Sequence, residues 1–158
     1  MYWLKQFGRA DDDWWQQFVV APHGHTMEFP NGMRRKPRIH IGDNVIFTGI
    51  HVTSLIFAGV CIEEAYPPTH EELIADPWRQ NLYWKLDFTN LFPNFAENWS
   101  IHNLSPYALA DLFLAANPNV PLLHNGSFTL GGLNARHSHL KLSDQFGQFL
   151  LQSMQQNN

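Results

Sequence analysis

The chain has 158 residues, 44% of them apolar and 14% aromatic, enough to bury one sizeable core, and this predicts a single compact domain. A formal charge of -4 excludes a uniformly basic protein that coats nucleic acid but leaves room for a local basic face. No stretch approaches the ~20 apolar residues of a membrane span, the first residues lack the pattern of a secretory leader, and the single Cys61 has no partner for an internal disulfide, so a cytoplasmic protein with no membrane partner is expected.

In chain order, MYWLKQF is aromatic and apolar and suits a buried first strand. ADDDWWQQFVV places acidic residues where a helix N-terminus favours them, which predicts a short helix. APHGHTMEFPNGMRRKPR has no clean period and several prolines and glycines, so it reads as a long irregular connection of the kind that carries function.

IHIGDNVIFTGI and SLIFAGVCIEEAYP are β-rich runs that predict neighbouring strands, with Cys61 as a small core residue. In THEELIADPW, Thr69 followed by Glu72 has the spacing of a capping box and predicts a helix. LYWKLDFTNLF alternates well enough for another strand. SPYALADLFLAAN opens with Pro106 near a first helical position, keeps helical spacing and stops at Pro118.

HNGSFTLGGLNARHSHLKL is punctuated by glycines and partly alternates, and SDQFGQFLLQSM begins with Ser143 as a candidate cap for a closing helix. Residues 153–158 read as a polar tail, either a frayed end or the start of a linker, after a domain spanning 1–152. Together the elements predict an α+β domain: a curved, mostly antiparallel sheet or open barrel flanked by short helices.

Three of these strings resemble a known group. YWLKQF is similar to the first strand of EVE domains, IHIGDNVIFTGI to the strand that follows their Gly-Asp turn, and LIFAGVCIEEAYPP to the next strand with its proline exit. EVE domains belong to the PUA-like superfamily, with YTH and ASCH domains. PHGHTMEFPNGMRRKPR stands where EVE proteins usually carry a Trp-Asp-Gly-Val-Arg-Asn-like string. The resemblance implies a PUA-like fold and a reader of a modified base, 5-methylcytosine or 5-hydroxymethylcytosine in DNA, in some relatives attached to a nuclease of a modification-dependent restriction system. It implies no cofactor and a non-enzymatic domain.

Such a reader flips the base from the stack at a cost of a few kcal/mol, which stacking on aromatic rings offsets by ~1 to 3 kcal/mol per base. The candidate pocket residues are Trp15, Trp84 and Trp99 for stacking, and His23, His25 and Ser54 for hydrogen bonds to the base edge. Neighbouring aromatic pairs, Trp14 with Trp15 and Tyr83 with Trp84, cannot both point inward. Arg34, Arg35, Lys36 and Arg38 form the candidate phosphate clamp, stiffened by Pro37 and free of local acids, with Arg136 and Lys141 extending it from the tail.

The nine histidines include two pairs at i, i+2 spacing, His23 with His25 and His137 with His139, but neither an HExxH helix nor a cysteine pair accompanies them, so no metal is assigned. Two other readings stand beside the DNA reader. One is an RNA-binding PUA-like module; the other is an ASCH-like hydrolase of modified nucleosides using Lys5 or Glu63.

Overall fold

The computed structural model describes residues 1–7, 36–49, 54–67, 69–75, 86–131 and 139–158. The helix expected within residues 10–20 and most of the irregular connection lie outside them. Four strands, β1 (Tyr2–Phe7), β2 (Asn44–Gly49), β3 (Leu55–Val60) and β4 (His139–Leu142), form a sheet in the order β3-β2-β1-β4. Five helices accompany it: α1 (His70–Ala75), α2 (Pro93–Glu97), α3 (Trp99–His102), α4 (Pro106–Ala116) and α5 (Asp144–Gln156).

The sheet is mixed. β1 runs parallel to β2 and antiparallel to β4, while β2 and β3 are antiparallel. Among the described residues it is not closed into a barrel, and none of the described helices is long and apolar enough to cross a membrane.

Alternation in β1 decides what lies on each side. Tyr2 and Leu4 face one way with Ile46, Ala58 and Leu142, and against them pack Leu109 and Phe113 of α4 and Phe146, Leu150 and Met154 of α5. Trp3 faces the other way with Val45, Phe47 and Phe57, forming a second cluster with Ile39, Leu86 and Phe88. A register shift between Phe47 and Thr48 leaves Ile56 as the extra residue of a bulge, so Ile56 joins the second cluster beside Phe57.

The turn before β2 depends on Gly42, whose φ of 88° is the left-handed conformation that glycine adopts without strain. Its N–H donates to the Cys61 carbonyl, and the Cys61 N–H returns a bond to the Asp43 carbonyl, both at 2.9 Å. The Gly-Asp pair therefore fastens the start of β2 to the end of β3. Cys61 is buried, as expected of a core residue, and burial pushes its thiol up to about 11.

The expected cap of the closing helix is present: Ser143 Oγ accepts from the Phe146 N–H at the head of α5. Pro106 lies in the first turn of α4 as expected, and there Ser105 Oγ accepts from the Ala108 N–H. Of LYWKLDFTNLF, expected as a strand, residues 82–85 lie outside the described residues; residues 86–92 run beside β3 through one bridge, Cys61 to Phe88, and bonds such as Leu91 N–H to the Ala58 carbonyl. The polar end at 153–158 does not stand apart, because α5 continues to Gln156, Met154 is fully buried and Asn158 Oδ1 accepts the Phe95 N–H.

Candidate functional site

The β1–β4 half of the sheet face opposite α4 and α5 gathers aromatic and cationic side chains. Trp3 and Lys5 are two apart on β1, and their cross-strand partners on β4 are Lys141 and His139. The rings of Trp3 and His139 lie 5.2 Å apart, and Lys141 Nζ sits 5.8 Å from the Trp3 ring centroid, within cation–π range. Two groups from each strand thus converge, Trp3 and Lys5 buried and His139 and Lys141 half-buried.

Trp3 is held from below. Its indole N–H donates to Asp43 Oδ2 at 2.9 Å, and the same oxygen accepts the His40 backbone N–H at 3.0 Å. The ring is consequently fixed in plane by the Gly-Asp turn.

Lys5 is 3% exposed and, among the described residues, makes one long hydrogen bond, 3.4 Å to the Gln6 carbonyl. Burial pulls its ammonium down to about 8 from the 10.5 of a free lysine. His139 is half-buried; burial lowers it to about 4, assisted by the charges of Lys5 and Arg38. Arg38, the last cation of the basic run, is exposed and close enough for its charge to act on His139. None of Lys5, Arg38 and Lys141 makes an ion pair among the described residues.

Three acids gather around the end of β3. Asp43, Glu64 and Asp87 all act on the Cys61 thiol, and Glu64 is bound to His40 at 3.1 Å. That hydrogen bond is the main cause holding the Glu64 carboxyl below its ordinary range. Glu63, one of the two candidate acid–base groups, is exposed, with its backbone carbonyl accepting from Cys61 Sγ at 3.1 Å.

Of the residues expected from sequence, Trp99 is half-buried on α3 and packs against both hydrophobic clusters, at the seam between them. Ser54 is buried immediately before β3, where its hydroxyl donates to the Leu55 carbonyl and its own carbonyl accepts from Thr48 Oγ1. Lys36 is exposed, two residues before Arg38. Trp15, His23, His25, Trp84, Arg34, Arg35 and Arg136 lie outside the described residues, as do His137 and the Trp14 and Tyr83 neighbours. No group of three metal-ligating side chains occurs among the described residues.

Trp3 was not singled out by sequence, and Lys5 was considered only as a hydrolytic residue. The available signal was the i, i+2 spacing of Trp3 and Lys5 together with that of His139 and Lys141. A separate cleft of about 270 Å³ beside α4 is lined by Tyr107, Leu114, Phe128 and Leu130, with Asp111 as its one charged group. Its lining lacks the convergent polar groups of the β1–β4 face.

Compared with protein-family models, curated proteins and solved structures, the chain finds no match. Its class is therefore defined by its own elements: an α+β protein with a four-stranded mixed sheet, helices packed on one side, and a cationic, aromatic patch on the other.

Proposed function

We propose that the chain is a PUA-like, EVE-type module that binds DNA and reads a modified cytosine, methylated or hydroxymethylated at carbon 5, by taking the flipped base against an aromatic surface. The observation that carries this reading is the juxtaposition of Trp3, His139 and Lys141 with Arg38, where ring faces adjoin cations that have no carboxylate partners among the described residues. The half-buried His139 ring, with the buried Trp3 ring against it, suits a base, and neighbouring cations suit the phosphates on either side of it. The similarity of YWLKQF, IHIGDNVIFTGI and LIFAGVCIEEAYPP to the EVE strands supports the same reading.

A competition at one fixed, moderate salt concentration tests it. A labelled duplex with a central 5-methylcytosine or 5-hydroxymethylcytosine is displaced by unmodified duplex or by RNA of the same sequence. The modified duplex is expected to bind about tenfold more tightly than the unmodified one, a difference of about 1.4 kcal/mol that contacts to the added methyl or hydroxymethyl group must supply, since either cytosine can stack. Equal displacement by unmodified duplex, the result of phosphate contacts alone, overturns the proposal. Preferential displacement by RNA replaces it with the RNA-binding reading.

A further inference from the structure

We infer that Lys5, with Arg38, His139 and Lys141 around it, forms an anion-binding site that takes a phosphate or carboxylate group carried by the ligand of this sheet face. The argument begins with an imbalance. An ammonium taken out of water is costly unless a charge or several acceptors compensate it, and buried lysines are accordingly almost always paired. Lys5 is 3% exposed, has three N–H donors, and has one acceptor among the described residues, a carbonyl at 3.4 Å.

Its surroundings deepen the imbalance. His139 lies directly across the strand pair, Lys141 is drawn over the Trp3 ring, and the charge of Arg38 reaches His139. Asp43, the acid bound to the Trp3 indole, is committed through Oδ2 to that N–H and to the His40 N–H. Three cations and an imidazole thus lie together with no carboxylate ion pair among the described residues. An anionic oxygen group would supply the missing acceptors to Lys5 and offset all three charges at once.

A methionine at position 5 would fill the same space without that cost; no ion pair among the described residues offsets it, and an anionic ligand would. The depressed ammonium, near 8, also means that the site holds its full charge at neutral pH and loses it in mild alkali. His139, lowered to about 4, does not share that window and is already neutral at pH 7. This inference rests on the proposed base-reading site only for the identity of the ligand that carries the anion.

The test uses the full chain and inorganic phosphate, followed by titration calorimetry at pH 7 and pH 9.5. Phosphate is at least as negative at pH 9.5, so any weakening there comes from the protein. Binding at pH 7 that weakens about tenfold at pH 9.5, and by a similar factor in Lys5→Met at pH 7, is the expected result. The wild-type pH comparison needs no variant, and thermal unfolding establishes that Lys5→Met is folded. Absence of phosphate binding, or binding that neither the pH change nor Lys5→Met alters, overturns the inference.

Two further titrations identify the source of the anion. Deoxycytidine 5′-monophosphate against deoxycytidine reports a backbone phosphate, and 5-carboxydeoxycytidine against deoxycytidine reports a carboxylate on the base. A preference in either pair that disappears in Lys5→Met supports the site and names its ligand. Lys5-dependent phosphate binding together with equal affinity for modified and unmodified duplexes leaves the anion site standing and removes the base-reading proposal. The reverse combination removes the anion site alone.

Discussion

The indole N–H of Trp3 and the carboxylate of Asp43, 40 positions apart in the chain, meet at 2.9 Å in the buried interior. This bond ties the first strand to the Gly-Asp turn that opens β2, and the same carboxylate oxygen also closes the turn through the His40 N–H. A residue pair that reads locally as turn chemistry therefore orients the ring that floors the candidate site.

Removing the carboxylate should be costly. Asp43→Ala leaves the Trp3 and His40 donors without their acceptor, and each buried donor so stranded costs about 1 to 3 kcal/mol. A loss of about 2 to 4 kcal/mol in urea denaturation is expected, accompanied by a change in tryptophan fluorescence as the Trp3 ring is released. A loss below about 0.5 kcal/mol would show that water replaces the carboxylate and that the bond does not position Trp3.

Gly147 gives a second stability prediction, opposite to the usual one. In a helix interior Gly→Ala ordinarily gains up to about 1 kcal/mol. Here an added Cβ would collide with Cβ, Cγ and Cδ1 of Tyr2, because α5 lies directly on β1. Gly147→Ala is expected to destabilise by about 1 to 3 kcal/mol, the range for overpacking. Combining it with Tyr2→Ala should recover much of that loss, which a double-mutant cycle measures. Additive effects would refute the collision.

How much of this was legible in the sequence follows the range of the interactions. The cap at Ser143 was readable because its partner, Phe146, is three residues away. Strands β1, β2 and β3 were readable from local apolar runs. The burial of Lys5 was not. In YWLKQF a lysine two residues after a tryptophan looks like a solvated position, and only pairing with Phe47 and His139, brought from distant parts of the chain, encloses it. The closing helix, expected over SDQFGQFLLQSM, continues to Gln156, and Met154, one helical turn beyond Leu150, reaches the same core.

Arg38 offers a test of the phosphate role that is independent of the base. If it contacts one phosphate, Arg38→Gln should weaken modified and unmodified duplexes by the same factor and lower the slope of log affinity against log salt by about 0.9. Because Arg38 is exposed and has no ion pair among the described residues, the thermal midpoint should hardly move. An unchanged salt slope removes Arg38 from the phosphate clamp.

The pH dependence of stability follows from Lys5 and His139. The Lys5 ammonium titrates near 8 when folded and near 10.5 when free, so between those values the unfolded chain holds a proton that the folded chain has released. Stability should therefore rise with pH across this window, while below about 8 both states are protonated and the burial penalty is present in full. A displacement from 10.5 to about 8 corresponds to about 3 kcal/mol. For His139 the window is acidic: folded near 4 and free near 6.5, it makes stability fall as pH drops from about 6.5 to 4. Urea denaturation of wild type and Lys5→Met at pH 7 and pH 10.5 isolates the lysine. The variant should be the more stable at pH 7, by up to about 3 kcal/mol, and the gap should close in alkali. A variant less stable than wild type at pH 7 would mean that Lys5 is compensated within the fold. The imbalance that calls for an anion would then be absent.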